Sequence, residues 1–110
     1  MAGPGGPAGD VVMPAQEYAL ALVRAERLRQ DRLHGDRTPA GDSLTDGGRL
    51  TVLVEEVGEV ARAMLDDPSG GRLLAGIEDE LVQVAAVCVA WLEHIIGGRR
   101  ADEGPRRRRS

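Results

Sequence analysis

The sequence predicts an all-α fold, and three observations carry that prediction. Apolar residues recur at three- and four-residue spacing through long stretches, and no stretch of useful length alternates apolar and polar residues as a strand would. Glycine and proline gather mostly between the periodic stretches. At 110 residues the chain has the length for one domain and a modest core. The expected architecture is an antiparallel helical bundle, three to four helices per chain, completed by oligomerisation. The bundle is assigned to residues 14–98. A Gly/Pro-rich tail at 1–13 and an Arg-rich tail at 99–110 are expected to be disordered, because neither has apolar residues to bury.

The first helix is expected from about Ala15 to Leu33. Pro14 suits a helix start, nothing interrupts the run, and Gly35 stands where a helix ends. "GDRTPAGDSLTDGG" reads as loop by composition. A second helix is expected from near Leu50 to Leu65, stopping at "DDPSGG", with Leu53, Val57, Val60 and Met64 as its main apolar stripe. A third is expected from near Arg72 to about Ile96, ended by Gly97 and Gly98. In "LVQVAAVCVAWL", residues 81–92, Gln83 is the one clearly polar side chain. A helix apolar on every side must be covered on every side, and two partner helices from a short chain leave area over. Self-association follows as an expectation, as a homodimer or homotetramer.

All 14 basic residues are arginine, and the formal charge is −4. A single cysteine, Cys88, excludes an internal disulfide framework and fits a reducing compartment. No uninterrupted run reaches the roughly 18 apolar residues of a membrane span. The expected location is the cytoplasm, with no membrane partner. The terminal "RRRR" is read as a solvated end rather than a nucleic-acid contact.

The chemistry gathers around "LVEEVGEVARAML", residues 53–65. On a helical wheel Glu56 and Glu59 lie one turn apart beside apolar residues, with Glu55 nearer solvent. Glu80 and Gln83 form a similar pair on the third helix, and Asp79 lies about 40° from Gln83. Buried carboxylates need arginine partners, protonation or a cation, since desolvation costs several kcal/mol per ion. Arg62 and Arg72 are expected off these faces, so oxygen ligation of a hard divalent cation, Mg²⁺ with Mn²⁺ as an alternative, is the economical answer. A nucleoside triphosphate then fits as partner, because Mg²⁺ is commonly shared between carboxylates and phosphates. Glutamates at this spacing are also common on solvated helix faces.

Glu55-Glu56-Val57-Gly58-Glu59, followed about twenty residues later by Glu80-Leu81-Val82-Gln83, resembles the EExxE…ExxD mark of the MazG-like branch of the all-α NTP pyrophosphatase superfamily. "AERLRQDRLHG" resembles that family's first helix and its Gly-ended turn. The resemblance implies a helical dimer or tetramer that hydrolyses nucleoside triphosphates to monophosphate and pyrophosphate, with house-cleaning of aberrant nucleotides as one role. Carried over, Glu56, Glu59 and Glu80 are metal ligands, and Glu55 is a ligand to a second ion or the base for the attacking water. Gln83 stands where the family has aspartate, bringing a neutral carbonyl in place of a charge. Asp79 is the local substitute. A degenerate site that binds without turnover, or a non-enzymatic helical oligomerisation module, are the alternatives. Arg24 and Arg27 are the expected triphosphate contacts, from a set that includes Arg29 and Arg32. Trp91 is expected either against a base or in the core.

Overall fold

The computed structural model describes residues 12–67 and 74–109; within the second stretch, side chains are described from 76 to 103. Among the described residues there are three α-helices and no strand: α1 (Ala15–His34), α2 (Asp46–Leu65) and α3 (Leu74–Arg109). A single 3-10 turn, Gly35–Arg37, follows α1. The all-α class is therefore correct. The segment expected to be a disordered N-terminal tail lies outside the described residues except for its last positions.

α1 begins after Pro14, whose φ of −52° is already helical, and ends at Gly35, whose φ of +54° is the one left-handed backbone among the described residues. α2 starts four residues before the expected Leu50. Thr45 supplies the reason: its Oγ1 accepts the Gly48 N–H at 3.0 Å, capping a first turn that its two glycines would otherwise weaken. α3 runs past the expected end at Ile96, on to Arg109. A glycine ends a helix by turning left-handed. Gly97 and Gly98 keep negative φ and cost the helix only about 1 kcal/mol each.

α3 is the spine. α1 and α2 both pack against it, and they do not approach one another closely. The tightest packing lies along Ala86, Val87 and Ala90, the buried apolar residues of the described chain, where small side chains let the flanking helices close in. From Arg49 onward the buried or half-buried residues of α2 are Arg49, Val52, Leu53, Glu56, Glu59, Val60 and Ala63. That corrects the expected stripe: Val57 and Met64 are 50% and 57% exposed. The packed face is turned by about one residue, which carries Glu56 onto it.

Two buried arginines tie the layers. Arg27 of α1 grips Glu93 of α3 with Nε to Oε2 at 2.8 Å and Nη2 to Oε1 at 3.1 Å, while Nη1 donates to Asp31 at 2.8 Å. Arg49 of α2 donates to the carbonyls of Pro39 (2.8 Å) and Gly41 (2.7 Å) and to Asp46 Oδ1 (3.0 Å). Its Nη2 also stands 3.1 Å from His94 Nδ1 on α3, so that nitrogen accepts. The connecting loop is thereby fixed. It is also drawn tight on itself, since a Cβ at Gly41 would collide with the Asp36 carbonyl oxygen.

Much apolar surface stays open, including Tyr18, Leu81, Leu92 and Ile95, each about half-exposed. By length and composition residues 76–103 would suffice to cross a membrane, with mean hydropathy 1.6 over the best window. That window was not evident from uninterrupted runs, because Glu80, Gln83, Glu93 and His94 break it. Glu93 and His94 are engaged by Arg27 and Arg49 of the flanking helices.

Replacing Arg49 by Met should strip partners from two loop carbonyls and His94. A loss of about 3 kcal/mol in urea unfolding is expected, with a smaller loss for Arg27→Met, whose partner Glu93 is half-exposed and can rehydrate.

Candidate active site

The packed face of α2 carries a carboxyl group where an apolar residue would be usual. Glu56 lies over α3 on that face, half-buried, and its Oε1 is fully buried without a hydrogen-bond partner. Burial raises its pKa above the ordinary glutamate range, and the negative charges of Glu80, Glu59, Glu26 and Glu55 push it further in the same direction. The acids from α2 and α3 singled out by spacing therefore act on one another through space, and α1 adds Glu26.

Because α1 and α2 stay apart, the gap between them opens a cleft over α3 of about 340 Å³. Val52 and Glu56 face it from α2, and Gln83 and Val87 from α3. α1 contributes Glu26, Arg29, Gln30 and His34, and the loop adds Arg37, Thr38 and Pro39. A neighbouring groove shares Glu26, Arg29 and Gln83 and adds Arg32 and Asp79. Arg29 holds Glu26 in a bidentate pair, Nε to Oε1 and Nη2 to Oε2, both 2.8 Å. Those hydrogen bonds lower the Glu26 pKa and outweigh its burial, with a further contribution from Gln30.

The expected residues divide. Glu56 and Gln83 share the cleft, and Asp79 borders it through the neighbouring groove. Glu55 and Glu59 line a second recess with Glu56 on α2, together with Arg62. Arg62 is exposed, and its Nε stands 3.8 Å from Glu59 Oε1. Arg24 and Arg27 lie elsewhere, in a groove with Asp31 and Glu93, and Arg27 is already committed there. The arginines beside the acids are Arg29, Arg32 and Arg37. Trp91 is half-buried and does not line the Glu56 cleft. Glu26, Gln30 and Thr38 were missed by the spacing argument, which compares positions within one helix and has no reach across the loop.

The donor types, carboxylate and amide oxygens with one carboxylate oxygen buried and unpartnered, suit a hard divalent cation. Among the described residues, however, no three carboxylate, imidazole or thiol groups are gathered into a ready metal site. A Mg²⁺ ion held here would depend on water and substrate oxygens for most of its ligands, the usual habit of that ion. Comparison of the chain with protein-family models, curated proteins and solved structures finds no match.

Glu56→Gln should raise the melting temperature of the ligand-free protein, because it removes a charge that burial and four neighbours oppose. The pH dependence has a definite sign. The native Glu56 holds its proton to higher pH than the unfolded chain, so its ionisation lowers stability above the raised pKa. That penalty fades as pH falls through the raised value toward the ordinary glutamate range. The stability gap between Glu56→Gln and wild type should narrow on acidification; a constant gap, measured by denaturant titration at stepped pH, would contradict the assignment.

Proposed function

We propose that this protein is a Mg²⁺-dependent nucleoside triphosphate pyrophosphohydrolase of MazG-like type, releasing monophosphate and pyrophosphate. The observation that carries the reading is Glu56: a carboxyl oxygen buried without a partner on a packed face, its charge opposed by Glu59 and Glu80, beside a cleft with arginines at its edge. Such an arrangement costs stability unless a cation and a polyanion relieve it.

In this reading Glu56, Glu59 and Glu80 hold Mg²⁺ or Mn²⁺, and Gln83 offers a neutral carbonyl, with Asp79 the nearest spare carboxylate. The ion would supply charge neutralisation of the phosphates and acidification of water. Arg29, with Arg32 and Arg37 nearby, takes phosphate oxygens in the fork geometry that guanidinium favours. Glu55, exposed on the outer edge of the acidic recess, takes the proton of the attacking water. The water oxygen bonds to the α-phosphorus, and the bond from that phosphorus to the bridging oxygen breaks, so pyrophosphate leaves with that oxygen. Aberrant nucleotides are a natural substrate class for such an activity. The half-exposed apolar residues of α1 and α3 favour a homodimer or homotetramer, and the reading places it in the cytoplasm with no membrane or nucleic-acid partner. Gln83, together with the ungathered acids, gives a second reading some weight: nucleotide or metal binding without turnover.

Incubation with Mg²⁺ and a panel of standard and modified (d)NTPs, with pyrophosphate measured, is the test. Release is expected, and Glu56→Gln should lose it. Mg²⁺ should raise the melting temperature in proportion to RT ln(1 + [Mg²⁺]/Kd), and Glu59→Gln should abolish that response. Gln83→Asp should tighten Mg²⁺ binding by about ten-fold, the effect of one added charge interaction of about 1.4 kcal/mol. A Mg²⁺ response without pyrophosphate selects the binding-only reading, and neither response overturns both. Sedimentation velocity should show a species larger than the 11.7 kDa chain.

A further inference from the structure

Among the described residues, the buried side-chain oxygens without a hydrogen-bond partner are Gln30 Oε1, Thr38 Oγ1 and Glu56 Oε1. They come from α1, the loop and α2, and all three residues line the same cleft. Buried polar atoms are nearly always satisfied, so three orphans sharing one cavity mark hydrogen-bonding capacity directed at something outside the chain.

Their polarity is defined. Gln30 Oε1 is buried without a partner, and an amide oxygen only accepts. Glu26, one turn earlier on α1, is committed to the Arg29 fork. Thr38 is 3% exposed and sits in the loop whose neighbouring carbonyls, those of Pro39 and Gly41, Arg49 pins. The cleft thus presents an acceptor, Gln30 Oε1, and a hydroxyl, Thr38 Oγ1, that can serve either way, with the Glu56 carboxylate of the opposite helix left to the cation. Val52 and Val87 supply apolar surface between them. A ligand that satisfies this set is flat, apolar on its faces and bears hydrogen-bond donors on its edge. A water cluster could satisfy the same atoms, and the test distinguishes it.

We propose that this cleft seats the nucleobase and selects bases bearing an exocyclic amino group, with Gln30 Oε1 and Thr38 Oγ1 as the reading atoms. The proposal rests on the pyrophosphohydrolase reading and names its substrate class. Cytosine, adenine and guanine each carry an amino donor to place against Gln30. Uracil and thymine carry a carbonyl oxygen where cytosine has its amino group, which sets acceptor against acceptor. A site built to receive a donor rejects the analogue that lacks it far more strongly than an apolar pocket rejects a change of shape.

The experiment is calorimetric binding of α,β-methylene analogues of CTP and UTP, which cannot be cleaved between those phosphates, to the full chain with Mg²⁺. The cytidine analogue should bind at least about ten-fold tighter, the worth of one well-placed hydrogen bond against a repelled acceptor. Gln30→Met should remove most of that ratio by weakening the cytidine analogue alone, and Thr38→Val should reduce it. Thr38→Val should also melt no lower than wild type, since it deletes an unsatisfied hydroxyl, so a change in its binding is not a folding defect. Equal binding of the two analogues overturns the proposal, as does a ratio unchanged in both variants, which is the water-filled case. A preference that follows the 2′-hydroxyl instead, read with the deoxycytidine analogue, also overturns it and assigns the atoms to the sugar. Pyrophosphate release at equal rates from all bases would leave the activity standing and remove only this inference. Failure of both analogues to bind removes both.

Discussion

The buried guanidinium of Arg49 is the contact on which the rest of the site depends. One side chain reaches a loop, its own helix and the opposing helix, and among its partners is the carbonyl of buried Pro39, which burial would otherwise leave unsatisfied. Buried charge is a poor source of net stability but a strong source of specificity, because few arrangements can satisfy it. Here the specified arrangement lays the loop after α1 across the gap between α1 and α2, putting Thr38 and Pro39 at the cleft. Asp36 reinforces the same path, accepting the Asp42 N–H on its side chain and the Ser43 hydroxyl on its carbonyl.

The cleft sets two kinds of polar cost against each other. On α1, Glu26 has its charge matched by Arg29 and its pKa lowered. On α2, Glu56 has no such match and its pKa is raised. Two glutamates on opposite walls of one opening are thus held in contrasting states by their surroundings. Contrasts of that kind cluster where proteins bind charged ligands. Gln30 and Thr38 add hydrogen-bonding capacity to the same opening.

What was legible in the sequence followed from interactions local to one helix. Pro14 and Gly35 act through backbone torsions that neighbours cannot override, so the limits of α1 could be read within a residue. Thr45 was hidden because Gly47 and Gly48 look like loop, and a capping hydroxyl is only as visible as the turn it stabilises. The end of α3 was misread because glycine permits a left-handed stop without enforcing one. Glu56 was legible because its spacing within α2 sets it beside apolar neighbours, though the stripe drawn for that helix was turned by one position. Glu26, Gln30 and the replacement of Arg27 by Arg29 at the acids were not, since they depend on how α1 and α2 are mounted on α3 across more than twenty residues.

The absence of close contact between α1 and α2 bears on how the protein is made. A nascent chain emerges from its N-terminus, and domains generally fold as units. α1 and α2 leave the ribosome before α3 and have little to offer each other, because the surface both need belongs to the helix that follows them. Tertiary structure must therefore wait for Ala86 to Glu93 to clear the exit tunnel, so the three helices close together in one step rather than pair by pair as they emerge.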